Sequence, residues 1–120
     1  MKYLCLICAE KVMEQMSEAQ AEQHYRDYAE FTRAIRTSGH FVGCNRLLPP
    51  DAATTIRVRN GKVAATDGPW VETKEQLGGY YLIDAKDLDE AMSIAERVPV
   101  AKVGTIEIRP VLEIQGLPTQ

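Results

Sequence analysis

Cysteine is scarce in this chain: 120 residues hold three, Cys5, Cys8 and Cys44. An odd and small count fits free thiols in a reducing compartment and argues against a disulfide-stapled scaffold. Histidine is scarcer, with only His24 and His40. His, Cys, Asp and Glu show no metal-ligand spacing, so neither a metal site nor a cofactor is expected. Long apolar runs are also missing. None approaches the roughly 18 residues that a membrane span needs. The first apolar stretch, Tyr3 to Ala9, is too short for a signal-peptide core with its cleavage site. The expectation is a cytoplasmic protein with no membrane partner. A basic surplus is lacking as well, since 14 Lys and Arg face 17 Asp and Glu. Nucleic-acid binding draws much of its affinity from basic side chains on phosphates, and here Arg26, Arg33 and Arg36 are interleaved with Glu22, Asp27 and Glu30. No nucleic-acid partner is expected.

What is present points to a globular chain. A 45% apolar and 26% charged composition lies near the globular average and excludes disorder and coiled coil. A chain this long can bury roughly two-thirds of its unfolded surface without staples, so one domain over residues 1–120 is expected.

Lys2 to Ala9 reads as a buried strand ended by the charges of Glu10-Lys11. Ser17-Glu18-Ala19-Gln20 spells a capping box, a hydroxyl followed three residues later by Gln. Ala21, Tyr25, Tyr28, Ala29, Thr32 and Ile35 repeat at helical spacing and predict a helix to about Ser38, with Gly39 as its stop. A strand over His40–Leu48 closes at Pro49-Pro50, and its first residue, His40, is expected at the surface. Asn60-Gly61 between Thr54–Arg59 and Lys62–Thr66 is a strong hairpin signal. Gly79–Ala85 reads as a further strand. Asp87 caps a second helix, whose expected buried stripe is Leu88, Ala91, Met92, Ala95 and Val98. Thr105 to about Leu112 forms the last strand. In it, Glu107 and Arg109 point to one face while Ile106 and Ile108 point to the other.

Two strand–helix–strand units around a hairpin describe an α+β ferredoxin-like plait with inserted strands. Both helices cover one face of an antiparallel sheet, so the other face needs cover, and a homodimer is the simplest source of it. The spelling Cys5-x-x-Cys8 falls in the first strand, where residues three apart point to opposite faces. Two buried thiols, rather than a redox or metal pair, are expected.

From Thr66 to Ile83 the chain reads TDGPWVETKEQLGGYYLI. This stretch closely resembles the signature of DGPF-type proteins of the YCII-related superfamily, with Trp70 and Val71 as mild apolar departures. The likeness extends through Met1–Leu4, Arg46-Leu47, Pro49-Pro50, Thr55–Lys62 and Gly104–Val111, and so covers essentially the whole chain. The resemblance implies a ferredoxin-like fold of the dimeric α/β-barrel type. Related YCII proteins include small enzymes acting on lactone-like or chlorinated hydroxyaromatic substrates through a His–Asp pair. Here the family histidine falls at Tyr28, with His24 one turn earlier, and Gly39–Pro50 contains no Asp.

The leading expectation is a small-molecule-binding protein with a cleft between sheet, first helix and signature loop, with acid/base chemistry of the lyase or isomerase sort as the reaction class. His24, Tyr28, Asp67 and Glu72 are the candidate catalytic residues. His24 titrates near working pH, and the two carboxylates stand on the signature loop as general bases. Trp70, Lys74 and Arg109 are the candidate ligand-binding residues, the two cations for an anionic group. The bland alternatives are a solvated loop at Glu72–Gln76, a core Tyr28 flanked by a half-exposed His24, and a structural ion pair at Arg109. DGPF-type proteins are often encoded beside extracytoplasmic-function sigma factors, so the rival expectation is a non-catalytic regulatory partner linked to such a factor. A purely structural assembly unit is the third.

Overall fold

The computed structural model describes residues 1–10 and 16–116. Its strands are β1 (Lys2–Ala9), β2 (Phe41–Arg46), β3 (Thr54–Arg59), β4 (Lys62–Asp67), β5 (Gln76–Asp84) and β6 (Thr105–Pro110), with helices α1 (Glu18–Thr37) and α2 (Leu88–Ala95). Short 3-10 turns over Pro50–Ala52 and Pro99–Lys102 complete the order. Lys11, expected to help end β1, lies outside the described residues.

Four strands pair antiparallel in the order β2-β5-β1-β6, while β3 and β4 form a separate two-stranded ribbon. This is the expected α+β ferredoxin-like plait with an inserted hairpin. Local signals set the element ends. Ser17 accepts a hydrogen bond from the Gln20 amide and the Gln20 side chain accepts one from the Ser17 amide, completing the capping box. At the other end, Gly39 adopts φ +82°. Its amide bonds the Arg36 carbonyl and the His40 amide bonds that of Ile35, the Schellman arrangement that a left-handed glycine permits. Asn60 and Gly61 take φ 52° and 74°, as a tight hairpin turn requires.

Period-two alternation divides the sheet into two faces. Tyr3, Cys5 and Ile7 of β1 and Tyr81 and Ile83 of β5 are buried against the helices with Phe31, Ile35, Ala91, Ile94, Ala95, Val98 and Val100. Ile106 and Ile108 pack on the same core. An irregularity between Phe41 and Gly43 pairs Phe41 with Ile83 and Cys44 with Tyr81, so both return to the helical side. On the opposite face Leu4 lies between Leu82 and Arg109, and Leu6 between Tyr80 and Glu107. Neither helix covers this face, and its Leu and Tyr side chains are half-buried. Cys5 is buried on one side and Cys8 half-buried on the other, as the alternation requires.

Three details depart from expectation. The buried stripe of α1 runs through Phe31 and Ile35, with His24 and Tyr28 half-buried, whereas Tyr25 is 69% exposed. In α2 the buried residues are Ala91, Ile94 and Ala95, and both Leu88 and Met92 are exposed. A short helix can bury only the side that faces its sheet, and small residues allow the close approach. His40 is not simply at the surface. Its Nε2 lies 3.1 Å from Glu90 Oε1 and its Nδ1 2.7 Å from Ser38 Oγ, tying the end of α1 to the start of α2.

Candidate functional site

The half-buried edge of α1 meets β2 and β5 around four side chains. Helical spacing places His24 and Tyr28 one turn apart. Their rings meet edge-on, with centroids 4.8 Å apart. Tyr28 stacks nearly parallel to Tyr81 at 6.4 Å, and the Tyr81 hydroxyl lies 2.6 Å from Thr32 Oγ1. Arg46, at the end of β2, reaches this cluster electrostatically, acting on both His24 and Tyr28.

Protonation follows from these surroundings. Burial and then the Arg46 charge hold the His24 imidazole below its ordinary value, with Asp27 opposing them. Burial pushes the Tyr28 phenol up to about 12, with Tyr81 adding to the shift, and the Val100 backbone and Arg46 offset part of it. Burial raises Tyr81 also, against the bond to Thr32. At neutral pH the site therefore holds a neutral imidazole able to accept a proton. With it stand the protonated Tyr28 phenol, able to donate a hydrogen bond, a Tyr81 phenol whose one O–H is committed to Thr32, and the permanent charge of Arg46.

A shallow, open depression of about 410 Å³ lies on the face of α1 beside this cluster, lined by Tyr25, Tyr28, Ala29, Thr32, Arg33 and Arg36, all on that helix. A second shallow patch nearer the start of the helix is lined by Ala21, Glu22, Tyr25 and Arg26.

The signature loop takes a different position. Its turn is sewn to the ribbon: the Gly68 amide, at φ +101°, bonds the Ala53 carbonyl, and Thr55 Oγ1 donates to the Gly68 carbonyl. Trp70 is 65% exposed and lies under the Arg57 guanidinium at 4.4 Å. Lys74 Nζ sits 3.4 Å from Glu10 Oε1, and Thr105 Oγ1 donates to Glu75 Oε1 at 2.5 Å. The loop is thereby moored to the ends of β1 and β6. Arg109 stands on the uncovered sheet face, 4.0 Å from Glu107. Among the described residues no hydrogen bond or ion pair joins Asp67 or Glu72 to His24 or Tyr28. Of the seven candidates, the structure brings together His24 and Tyr28. Thr32, one turn beyond Tyr28 on the same helix, joins them by local spacing, whereas only strand pairing brings up Tyr81 and the charge of Arg46. Among the described residues no group of three or more His, Cys, Asp or Glu stands close enough to hold a metal ion, and none of their helices is long and apolar enough to cross a membrane.

Comparison with known proteins agrees with this architecture. The chain is 39% identical over 103 residues to an uncharacterized protein of Rhizobium meliloti (strain 1021), covering 84% of this chain and 83% of that one. Among solved structures it is similar to the 5-chloro-2-hydroxyhydroquinone dehydrochlorinase of Burkholderia phenoliruptrix in complex with 2,5-dihydroxybenzoquinone. That match has a TM-score of 0.57 at 12% identity, over 96% of this chain and 97% of the other. At that identity the likeness is one of fold. The YCII-related domain matches residues 1–115, and the chain belongs to this family.

Proposed function

We propose that this protein binds a small hydroxylated or carboxylated molecule beside His24 and Tyr28, and that the site performs acid/base chemistry of the lyase or isomerase sort. The observation that carries the reading is the edge-on pairing of His24 and Tyr28 at 4.8 Å, with the His24 imidazole held below its ordinary pKa by burial first and the Arg46 charge second. A neutral base next to an anion anchor suits removal of a proton from a carbon adjacent to a carbonyl. A phenol that stays protonated to about pH 12 suits donation to the developing oxyanion. Sharing a fold with a dehydrochlorinase that holds a dihydroxyquinone supports the ligand class. Asp67, Glu72, Trp70 and Lys74 enter the proposal as loop residues that a second copy would bring to the ligand, and Arg109 as a cation of the sheet face that such a copy would cover. A homodimer that covers Leu4, Leu6, Tyr80 and Leu82 of the open sheet face belongs to the same reading.

The test is calorimetric titration with 2,5-dihydroxybenzoquinone. The parent protein should bind it, and His24→Ala and Arg46→Ala should each weaken binding at least tenfold while leaving the circular dichroism spectrum unchanged. Absence of binding by the parent, or equal affinity in both variants, would sink the assignment.

A further inference from the structure

The β3–β4 ribbon pairs with no other strand among the described residues. Its two-residue turn, Asn60-Gly61, makes Arg59 and Lys62 the first hydrogen-bonded pair, and such pairs alternate with open ones along an antiparallel ladder. The amides and carbonyls of Ile56 and Val58 on β3, and of Val63 and Ala65 on β4, therefore point away from the ribbon. The two edges differ. On β3 the Arg59 guanidinium donates to the Val58 carbonyl at 2.9 Å. On β4 all six residues are exposed, and among the described residues no backbone hydrogen bond from beyond the ribbon reaches Val63 or Ala65. An edge of this kind is a template for a further strand.

Side chains select the occupant. Cross-strand partners share a face, so Arg59 with Lys62, Arg57 with Ala64 and Thr55 with Thr66 form one, and Val58 with Val63, Ile56 with Ala65 and Thr54 with Asp67 form the other. The first face carries three cations and no acid. The second is apolar, with Ile56, Val58 and Val63 65%, 55% and 70% exposed, and holds Asp67 at its base. Between Arg57 and the open edge stands only Ala64, too short to screen the guanidinium from a strand laid there. A third strand continues the same two faces. Its residues beside Lys62 and Ala64 meet cations, and its residues beside Val63 and Ala65 meet apolar side chains. Acid at every second position, with apolar residues between, satisfies both. The chain's own edge strands lack this pattern: β2 holds Arg46 and no acid, and β6 sets Arg109 beside Glu107 on one face.

We infer that the β4 edge captures an extended segment of another protein, alternating acidic and apolar residues, as a third strand of the ribbon. Backbone pairing with Val63 and Ala65 supplies the hold, and Arg57, Arg59 and Lys62 supply the choice. Neither His24 nor Tyr28 takes part, so a failed ligand titration leaves the inference standing.

Fluorescence anisotropy of a dye-labelled, capped peptide alternating Glu and Val tests it. The parent should bind this peptide at least tenfold more tightly than one of the same composition with Glu and Val in separate blocks. Ala65→Pro removes an outward amide and leaves the pairing with Ile56 in place, so it should weaken binding at least tenfold. Ala65→Thr keeps the amide and should bind as the parent does. Arg59→Glu/Lys62→Glu should lose the Glu–Val peptide and gain one alternating Lys and Val, a reversal that an unfolded ribbon does not produce. No binding by the parent, equal affinity for the alternating and block peptides, or Ala65→Pro binding as the parent does would each overturn the inference. So would slow amide exchange at Val63 and Ala65 in the free protein that quickens on dilution, because a second copy would then hold the edge.

Discussion

Thr32 and Tyr81, 49 residues apart in the chain, share a hydrogen bond of 2.6 Å across the helix–sheet interface. Thr32 Oγ1 also donates to the Tyr28 carbonyl at 2.8 Å, so a single threonine fixes Tyr81 against the turn of α1 that carries Tyr28. Phe31 and Phe41 close on the Tyr81 ring edge-on, at 5.1 and 6.4 Å.

Removing only the hydroxyl should therefore cost little. Tyr81→Phe keeps the ring contacts and loses one hydrogen bond, about 1 kcal/mol. The thermal midpoint should fall by about 3–5 °C. Tyr81→Ala removes the packing as well and should cost about 3–5 kcal/mol. Differential scanning of both proteins separates the two contributions. Equal losses would mean that the hydroxyl, not the ring, holds α1 on the sheet.

Gly78 and Gly79 are neighbours in sequence but differ in surroundings. A Cβ on Gly79 would stand 2.8 Å from the Asn45 carbonyl oxygen and 3.5 Å from Arg46 Cα, both backbone atoms of β2. On Gly78 the nearest atom would be 4.0 Å away. Gly79→Ala should thus push the edge strand that carries Arg46 and cost about 1–3 kcal/mol in urea unfolding. Gly78→Ala should stay near neutral. If the two variants unfold alike, β2 yields freely at that point.

This contrast marks what the sequence reveals. The Ser17–Gln20 capping box, the Asn60-Gly61 turn and the opposed Cys5 and Cys8 are legible because a few adjacent residues decide each. The buried side of α1 is not, since Tyr25–Ala29 and Tyr28–Phe31–Ile35 are competing stripes on adjacent faces, and only the position of the sheet chooses between them. Position also explains why His24 and Tyr28 are legible in the sequence while Arg46 and Tyr81 are not. His24, Tyr28 and Thr32 are related by helical spacing, whereas Arg46 and Tyr81 lie on β2 and β5 and come up only through strand pairing. Nor does any residue of the hairpin announce that β3 and β4 stand apart from the main sheet.

The thiols offer a check on the sheet faces. Burial pushes Cys5 up to about 11, and burial together with Glu107 and Glu75 raises Cys8. The thiolate is the reactive form, so neither should react readily at pH 7.5. Ellman titration of the native protein should label fewer than three thiols, with Cys5 protected until unfolding, and three in guanidinium. Prompt labelling of all three would contradict the alternation that buries Cys5 against Ile108 and Tyr81.

The protonation of His24 makes the sharpest prediction. The folded protein holds its imidazole below the ordinary 6.5 through burial first and Arg46 second, while Asp27 acts against them. Below about pH 6.5 the unfolded chain takes up a proton that the folded chain resists, so this group costs no stability above that pH. Stability should then decline as pH falls from about 6.5 through the lower folded value, and this histidine should contribute no further loss beneath it. Arg46→Ala removes one lowering cause, so the folded value should climb toward 6.5 and the decline should become shallower. Asp27→Asn removes the opposing charge and should deepen it. Titrating the His24 ring protons by NMR, with His40→Gln used to assign them, measures each shift. An unchanged His24 titration in Arg46→Ala would place the guanidinium too far away to act on the imidazole, and the proposed site would lose its anion anchor.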